Sequence, residues 1–265
     1  MHHIFVDIKN IDIKSKHILI NKSNDLENYN HLVNSLRVKQ NETVLCSVVP
    51  FISSFDYKCH VEGIDRDTIS LIIDEEVGNR ELDVNINLYQ GLIKSDKFEF
   101  VIEKAVELGI NEIIPVNTEY SIIKYKSNDK KVDTKIARFN KIAKSAAEQS
   151  KRHIIPAIKA PIEFDDLIKL DDRNNTYNLL FYENANGITE TKNAISKIKN
   201  EIIKNDNIKY NINVVIGPEG GFSNNEVSLV KNANFMILSL GERILRVETA
   251  SITALSILMY EFDKS

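Results

Sequence analysis

Near residue 78 the hydrophobic rhythm of this chain changes, and that change limits the folds open to it. Before it, short β-branched or aromatic runs (Ile4–Ile8, Ile18–Ile20, Thr43–Val49, Tyr57–Ile64, Thr68–Ile73) are separated by Asn, Asp, Ser and Lys clusters. That is the pattern of short strands, and strands so closely spaced predict a small barrel. His31–Arg37 reads as a short helix between the second and third runs. The acidic, polar stretch Asp74–Asp83, which contains Gly78, is the boundary, giving one domain over 1–78 and a second over 79–265.

Beyond the boundary strands alternate with helices, the signature of an α/β sheet. Ile86–Leu92 is a strand. Asp96 and Glu99 predict a capping box for a helix with the apolar stripe Phe98, Val101, Ile102, Ala105 and Leu108, which Gly109 ends. Ile110–Val116 is a strand, and a helix over Thr134–Ser150 turns Ile136, Phe139, Ile142, Ala143 and Ala146 inward. Leu179–Tyr182 is a strand followed by a helix through Ile195, Ile198 and Ile202. Ile212–Ile216 is a strand, and Ser223-x-x-Glu226 is a capping box that opens the next helix. Phe235–Leu240 is the last strand, and Thr249 opens a final helix along Ile252, Leu255, Leu258, Met259 and Phe262.

Of the 265 residues 43% are apolar and 27% charged, which fits a soluble globular protein with a real core. No apolar run approaches the roughly 20 residues that span a bilayer, and the N-terminus lacks the pattern of a signal peptide. Cys46 and Cys59 read as reduced thiols of a cytoplasmic protein, with a single bridge as the alternative. The six histidines are scattered, so no metal is expected.

A net charge of −4 argues against a nucleic-acid partner, but its distribution does not. Residues 1–78 hold 8 basic and 12 acidic side chains, so the remainder is balanced. Within that remainder, 121–152 carries ten basic residues (Lys124, Lys126, Lys130, Lys131, Lys135, Arg138, Lys141, Lys144, Lys151, Arg152) against three acidic ones. The stripe is either a phosphate-facing track or a solvated helix face.

The chemistry concentrates in the last third. Ile216-Gly217-Pro218-Glu219-Gly220-Gly221-Phe222 lies between a strand and a capped helix, where backbone N–H groups face a ligand. It lacks the Lys of a phosphate loop and the Gly-x-Gly-x-x-Gly of a dinucleotide site. Pro218 stiffens it, the glycines permit close approach, and Glu219 suits a cationic or polar ligand; a plain tight turn is the alternative. A second strand end, Leu238-Ser239-Leu240-Gly241, is followed by Arg243, Arg246, Glu248 and Thr249. Two such loops can wall one crevice. Its arginines either pair with Glu242 and Glu248 or hold a phosphate or developing negative charge.

These two segments, with Arg243-Ile244-Leu245-Arg246-x-Glu248-Thr249-Ala250 after Gly241, resemble the RsmE-type ribosomal RNA uridine-N3 methyltransferases of the SPOUT class. The resemblance extends to Leu36-Arg37-Val38, to Lys94–Gly109 with Lys97, Glu99, Phe100 and Lys104, and to Ala146, Glu148-Gln149-Ser150, Arg152 and Pro156. The chain departs from the family at His3 and Tyr120, where arginine is usual, and at Glu242 and Val247. Lys124 and Lys126 are candidates to supply the missing charge near Tyr120.

The resemblance implies a PUA-like β-barrel over 1–78 that binds RNA and a trefoil-knotted SPOUT α/β domain over 79–265 that binds S-adenosylmethionine. It implies a homodimer acting on N3 of a decoding-centre uridine in 16S ribosomal RNA. Gly217, Glu219, Gly220, Gly221, Leu238, Leu240, Gly241, Ile244, Leu245, Thr249 and Ala250 are then expected at the cofactor. Arg246 is expected to stabilise negative charge on the uracil or hold its phosphate, and Glu219 to be a base or a structural carboxylate. Arg37, Lys97, Lys141, Lys144 and Arg152 are the expected RNA contacts. The rival expectations are another SPOUT enzyme, acting on transfer RNA or a ribose 2′-hydroxyl, and a non-catalytic RNA-binding protein.

Overall fold

The computed structural model describes residues 1–51, 55–78, 80–125, 129–170, 175–205 and 208–263. They form two compact units, residues 1–81 with 147–155 and residues 82–146 with 156–265. Among the described residues no helix is long and apolar enough to cross a membrane.

The first unit is a six-stranded sheet of β1 (His2–Asp7), β2 (Ile11–Asp12), β3 (His17–Asn21), β4 (Thr43–Val49), β5 (Phe55–Ile64) and β6 (Thr68–Gly78). Its strand order is β1-β4-β5-β6-β3-β2. Alternate residues feed one core: Ile4 and Val6, Ile18 and Ile20, Val44, Cys46 and Val48, Cys59 and Val61, Ile69, Leu71 and Ile73. A period of two places all of these on one face of the sheet. The expected helix at His31–Arg37 is preceded by α1 (Leu26–Asn30), which Asp25 caps, and is itself a π-helical turn over His31–Leu36. Tyr29 and Leu32 from this stretch close the core.

A polar network lies within the same unit. Ser47 accepts from His3 Nε2 at 2.8 Å and donates to Asp56 Oδ1 at 2.5 Å, and His153 Nδ1 donates to the same oxygen at 2.7 Å. Ser47 and Asp56 are fully buried. Burial lowers the pKa of His3, because removing the imidazolium from water disfavours its charged form.

The second unit is built on a parallel sheet. β7 (Asn85–Gly91), α2 (Ser95–Glu107), β8 (Glu112–Asn117) and α3 (Lys130–Ser150) come first. The last turn of α3, from Ala147, groups with the first unit. There follow β9 (Ala157–Ile158), β10 (Ile162–Glu163), α4 (Phe164–Leu167), β11 (Thr176–Phe181), α5 (Ile188–Lys204), β12 (Asn211–Ile216), α6 (Asn224–Lys231), β13 (Met236–Leu238) and α7 (Val247–Phe262). The order is β10-β8-β7-β12-β11-β13, with β9 also on β8.

Three expected helix starts move. Helix α3 begins at Lys130, four residues before Thr134. Helix α2 begins at Ser95 with no side-chain cap, so Asp96 lies inside its first turn as an acidic residue at the positive end of the helix dipole. Helix α7 begins at Val247, two residues before Thr249, with Arg246 at the N-cap. The capping box of α6 forms as expected: Ser223 Oγ accepts from Glu226 N at 3.2 Å and Glu226 Oε2 from Ser223 N at 2.8 Å.

Register across the sheet is fixed by asparagines. Asn111 donates to Asn87 (2.9 Å), Asn87 to Asn213 (2.9 Å) and Asn213 to Asn178 (2.8 Å), the last three residues standing at paired positions on adjacent strands. Asn85 donates to Asn211 at 3.1 Å one step away. A one-residue slip would leave these buried amides unpaired, so the ladder penalises wrong registers.

Candidate active site

The carboxyl ends of β11, β12 and β13 open onto one cavity of about 440 Å³. Phe181, Tyr182 and Glu183 line it after β11, Ile216 to Phe222 after β12, and Leu240, Gly241 and Arg243 to Val247 after β13. Ala250 and Lys97 complete the wall. A crevice at the carboxyl ends of parallel strands is where α/β sheets bind ligands, and the volume falls in the range of small-molecule sites.

The loop after β12 is held from below. Gln90, at the end of β7 and fully buried, donates to Gly217 O at 3.3 Å and accepts from Ser251 Oγ at 2.6 Å. One amide therefore ties β7, the glycine loop and α7 together. Gly91 beside it has no room for a side chain: a Cβ would stand 2.6 Å from Pro218 N and 2.8 Å from Gly217 C. At the far end of the loop Gly221 takes φ +71°, a conformation that glycine adopts without strain. The loop after β13 is fastened to α5, where Thr191 Oγ1 donates to Ser239 O (2.8 Å) and accepts from Ser239 N (3.0 Å).

Most of the residues expected at a cofactor meet here: Gly217, Glu219, Gly220, Gly221, Leu240, Gly241, Ile244, Leu245 and Ala250 line the cavity, as does Arg246. Two do not. Leu238 is buried within the sheet, its residue paired with Phe181. Thr249 is exposed, because a helix that begins at Val247 aligns Val247 with Ala250 and turns the residue between them away. The wall after β11 was missed; the signal for it was the expected strand Leu179–Tyr182, whose carboxyl end belongs to the same edge of the sheet.

The charges are divided among the loops. Lys97 stands 3.4 Å from Glu219 and 3.9 Å from Glu248, so it belongs to the cavity. These side chains keep part of their hydration, and such a pair is worth about 1 kcal/mol or less. Arg243 and Arg246 are exposed on the rim.

The expected RNA contacts separate. Lys141 is exposed and Lys144 partly exposed on α3, and Arg37 is exposed at the end of its π-helical turn. Arg152 is corrected: it is 4% exposed, and its guanidinium grips Glu81 through Nε and Nη2. Glu81 also accepts from the backbone N–H of His153 at 2.8 Å. A guanidinium enclosed in this way is part of the packing rather than of a surface track. Lys124 donates to Thr118 O within its own turn, and Lys126 lies outside the described residues.

Residues 80–259 match the RNA methyltransferase domain family. The Bacillus subtilis ribosomal RNA small subunit methyltransferase E is 33% identical over 239 residues, 89% of each chain. The protein of that name from Mesomycoplasma hyopneumoniae is 36% identical over 185 residues, 70% of this chain and 74% of its own. A crystal structure of ribosomal RNA small subunit methyltransferase E from Neisseria gonorrhoeae, bound to S-adenosyl methionine, has a TM-score of 0.78 at 23% identity. It covers 99% of this chain and 98% of that one, a likeness of fold. With a family model over most of the chain and relatives above 30% identity, this protein is a member of the ribosomal RNA small subunit methyltransferase E family of RNA methyltransferases.

Proposed function

We propose that the protein transfers a methyl group from S-adenosylmethionine to N3 of a decoding-centre uridine in 16S ribosomal RNA. The observation that carries this reading is the convergence of both glycine-containing loops on one cavity of about 440 Å³ at the carboxyl edge of the sheet. The cavity suits the donor: it offers close-approach backbone at Gly217, Gly220 and Gly221, apolar surface at Leu240, Ile244 and Leu245, and charges of both signs. When bound there, the donor supplies an electrophilic methyl group.

The chain's own residues have three tasks. The Gln90-braced loop and Ala250 orient the donor, which is the larger part of an in-line displacement. Arg246, at the N-cap of α7, stabilises negative charge on the uracil as N3 gives up its proton. Glu219 shapes the wall: the adjacent Lys97 ammonium supports a structural carboxylate in preference to a base. Because pairing hides N3, the uridine enters unpaired or flipped out.

The same reading assigns 1–78 as a PUA-like RNA-binding barrel, for which the single core beneath the first sheet speaks, and 79–265 as a trefoil-knotted SPOUT domain. Lys141 and Lys144 on α3 are the RNA contacts of the second unit, and Arg37 is the RNA contact of the first. The working form is a cytoplasmic homodimer.

The test is transfer of labelled methyl from S-adenosylmethionine to small ribosomal subunits or to transfer RNA. Label in the small subunit, lost in Arg246→Ala with donor affinity retained, supports the reading. Label in transfer RNA, or an Arg246→Ala enzyme of full activity, contradicts it.

A further inference from the structure

Glu183 is the acidic group of the cavity that neither glycine-containing loop supplies. It stands two residues beyond the end of β11 and lines the cavity. Its carboxylate lies against the glycine loop: a Cβ at Gly221 would meet Glu183 Oε1 at 2.9 Å, so this contact also depends on the glycine. Glu219 and Glu248 share Lys97, whereas among the described residues Glu183 makes no ion pair or hydrogen bond.

Its position indicates what it faces. Strands β11 and β12 are parallel and in register, with Phe181 paired to Ile216, so they deliver Glu183 and the glycine loop to the same edge of the sheet. A carboxylate at the end of the strand beside a glycine loop is how other parallel α/β sheets take the hydroxyls of a ribose. The chemistry is general, since two carboxylate oxygens accept from two adjacent O–H donors. The donor's carboxylate and ammonium share one carbon, and Arg243, on the loop after β13, would attract the carboxylate and with it that end of the donor. Glu183, on a different loop, is left with the sugar.

We propose that Glu183 accepts hydrogen bonds from the vicinal hydroxyls of the methyl donor's ribose and thereby selects a ribonucleoside donor. This rests on the S-adenosylmethionine reading of the cavity given above. The experiment is calorimetric titration of the wild type, Glu183→Gln and Glu183→Ala with S-adenosylhomocysteine, with 5′-methylthioadenosine, which keeps the ribose and lacks the amino acid, and with 2′-deoxy-5′-methylthioadenosine.

The proposal expects Glu183→Ala to bind the first two compounds about tenfold to a hundredfold more weakly, the worth of hydrogen bonds to a charged group. Glu183→Gln, which keeps one acceptor oxygen, should fall between. The wild type should discriminate against the deoxy compound and Glu183→Ala should not. An alanine variant that binds 5′-methylthioadenosine as tightly as the wild type overturns the proposal, even if its affinity for S-adenosylhomocysteine falls. A wild type that binds none of the three compounds overturns the donor reading itself, and the two failures are thereby distinguished. Unfolding curves of the variants confirm that they are folded, as an exposed position leads one to expect.

Discussion

Replacing Gly91 by alanine tests whether the glycine loop is held where the chemistry needs it. The new Cβ would stand 2.6 Å from Pro218 N and 2.8 Å from Pro218 Cδ, and the nearest obstacles are backbone and ring atoms that have no rotamer to escape into. Restoring an ordinary contact of about 3.5 Å moves the loop by roughly 1 Å. A displacement of that size costs on the order of a hundredfold when reacting groups must be aligned. The strain itself, an overpacked site, costs about 1–3 kcal/mol, or roughly 2–12 °C in melting temperature for a chain of this size. Methyl-transfer kinetics at saturating RNA and calorimetry with S-adenosylmethionine should therefore show a folded variant with kcat/KM down about a hundredfold and weakened donor binding. Gly63→Ala is the control, because a Cβ there meets nothing within 4 Å. Wild-type activity and melting temperature in Gly91→Ala would refute the claim that β7 buttresses the loop.

Other sites give independent outcomes. Asn213→Ala strands the donor of Asn87 and the acceptor of Asn178, so urea unfolding should show a loss of about 2–4 kcal/mol; under about 1 kcal/mol, the ladder is idle. His3 has a lowered pKa in the folded state, so the unfolded chain binds its proton first as the solution is acidified. Stability is then full above the ordinary histidine value of 6.5 and falls as pH drops below it towards the folded pKa. His3→Gln should flatten melting temperature against pH in that window, and an unchanged slope would remove His3 from the account. Neutralising Lys141 and Lys144 together should weaken RNA binding and reduce its salt slope by about 2 if each neutralises one phosphate. Arg152→Ala should instead cost about 3–5 kcal/mol of stability by leaving the largely enclosed carboxylate of Glu81 without its counter-charge. An Arg152→Ala protein of normal stability but weak RNA binding would reverse that assignment.

The sequence was most legible where a local rule sufficed. Ser223 and Glu226 announced their helix because a capping box is complete within four residues. The loops at Gly217–Gly221 and Leu240–Arg246 could be placed on one cavity because strand ends share an edge. What escaped depended on distant partners. Nothing near Arg152 in the chain reveals that Glu81 will bury it, and a basic residue after a basic helix reads as surface. Glu183 has no motif of its own, and its importance arises only when β11 is laid beside β12. Thr249 was misplaced by a two-residue error in a helix start, enough to rotate it off the cavity wall. The asparagine ladder was equally hidden: six asparagines scattered from 85 to 213 look like loop formers until register aligns them.

The most direct measurement is nucleoside mapping of small-subunit ribosomal RNA after incubation of unmodified small subunits with the purified protein and S-adenosylmethionine. The account predicts one new N3-methyluridine near the decoding centre, absent with Arg246→Ala. A methyl group on a ribose hydroxyl, on another base, or on no ribosomal nucleotide at all would contradict it.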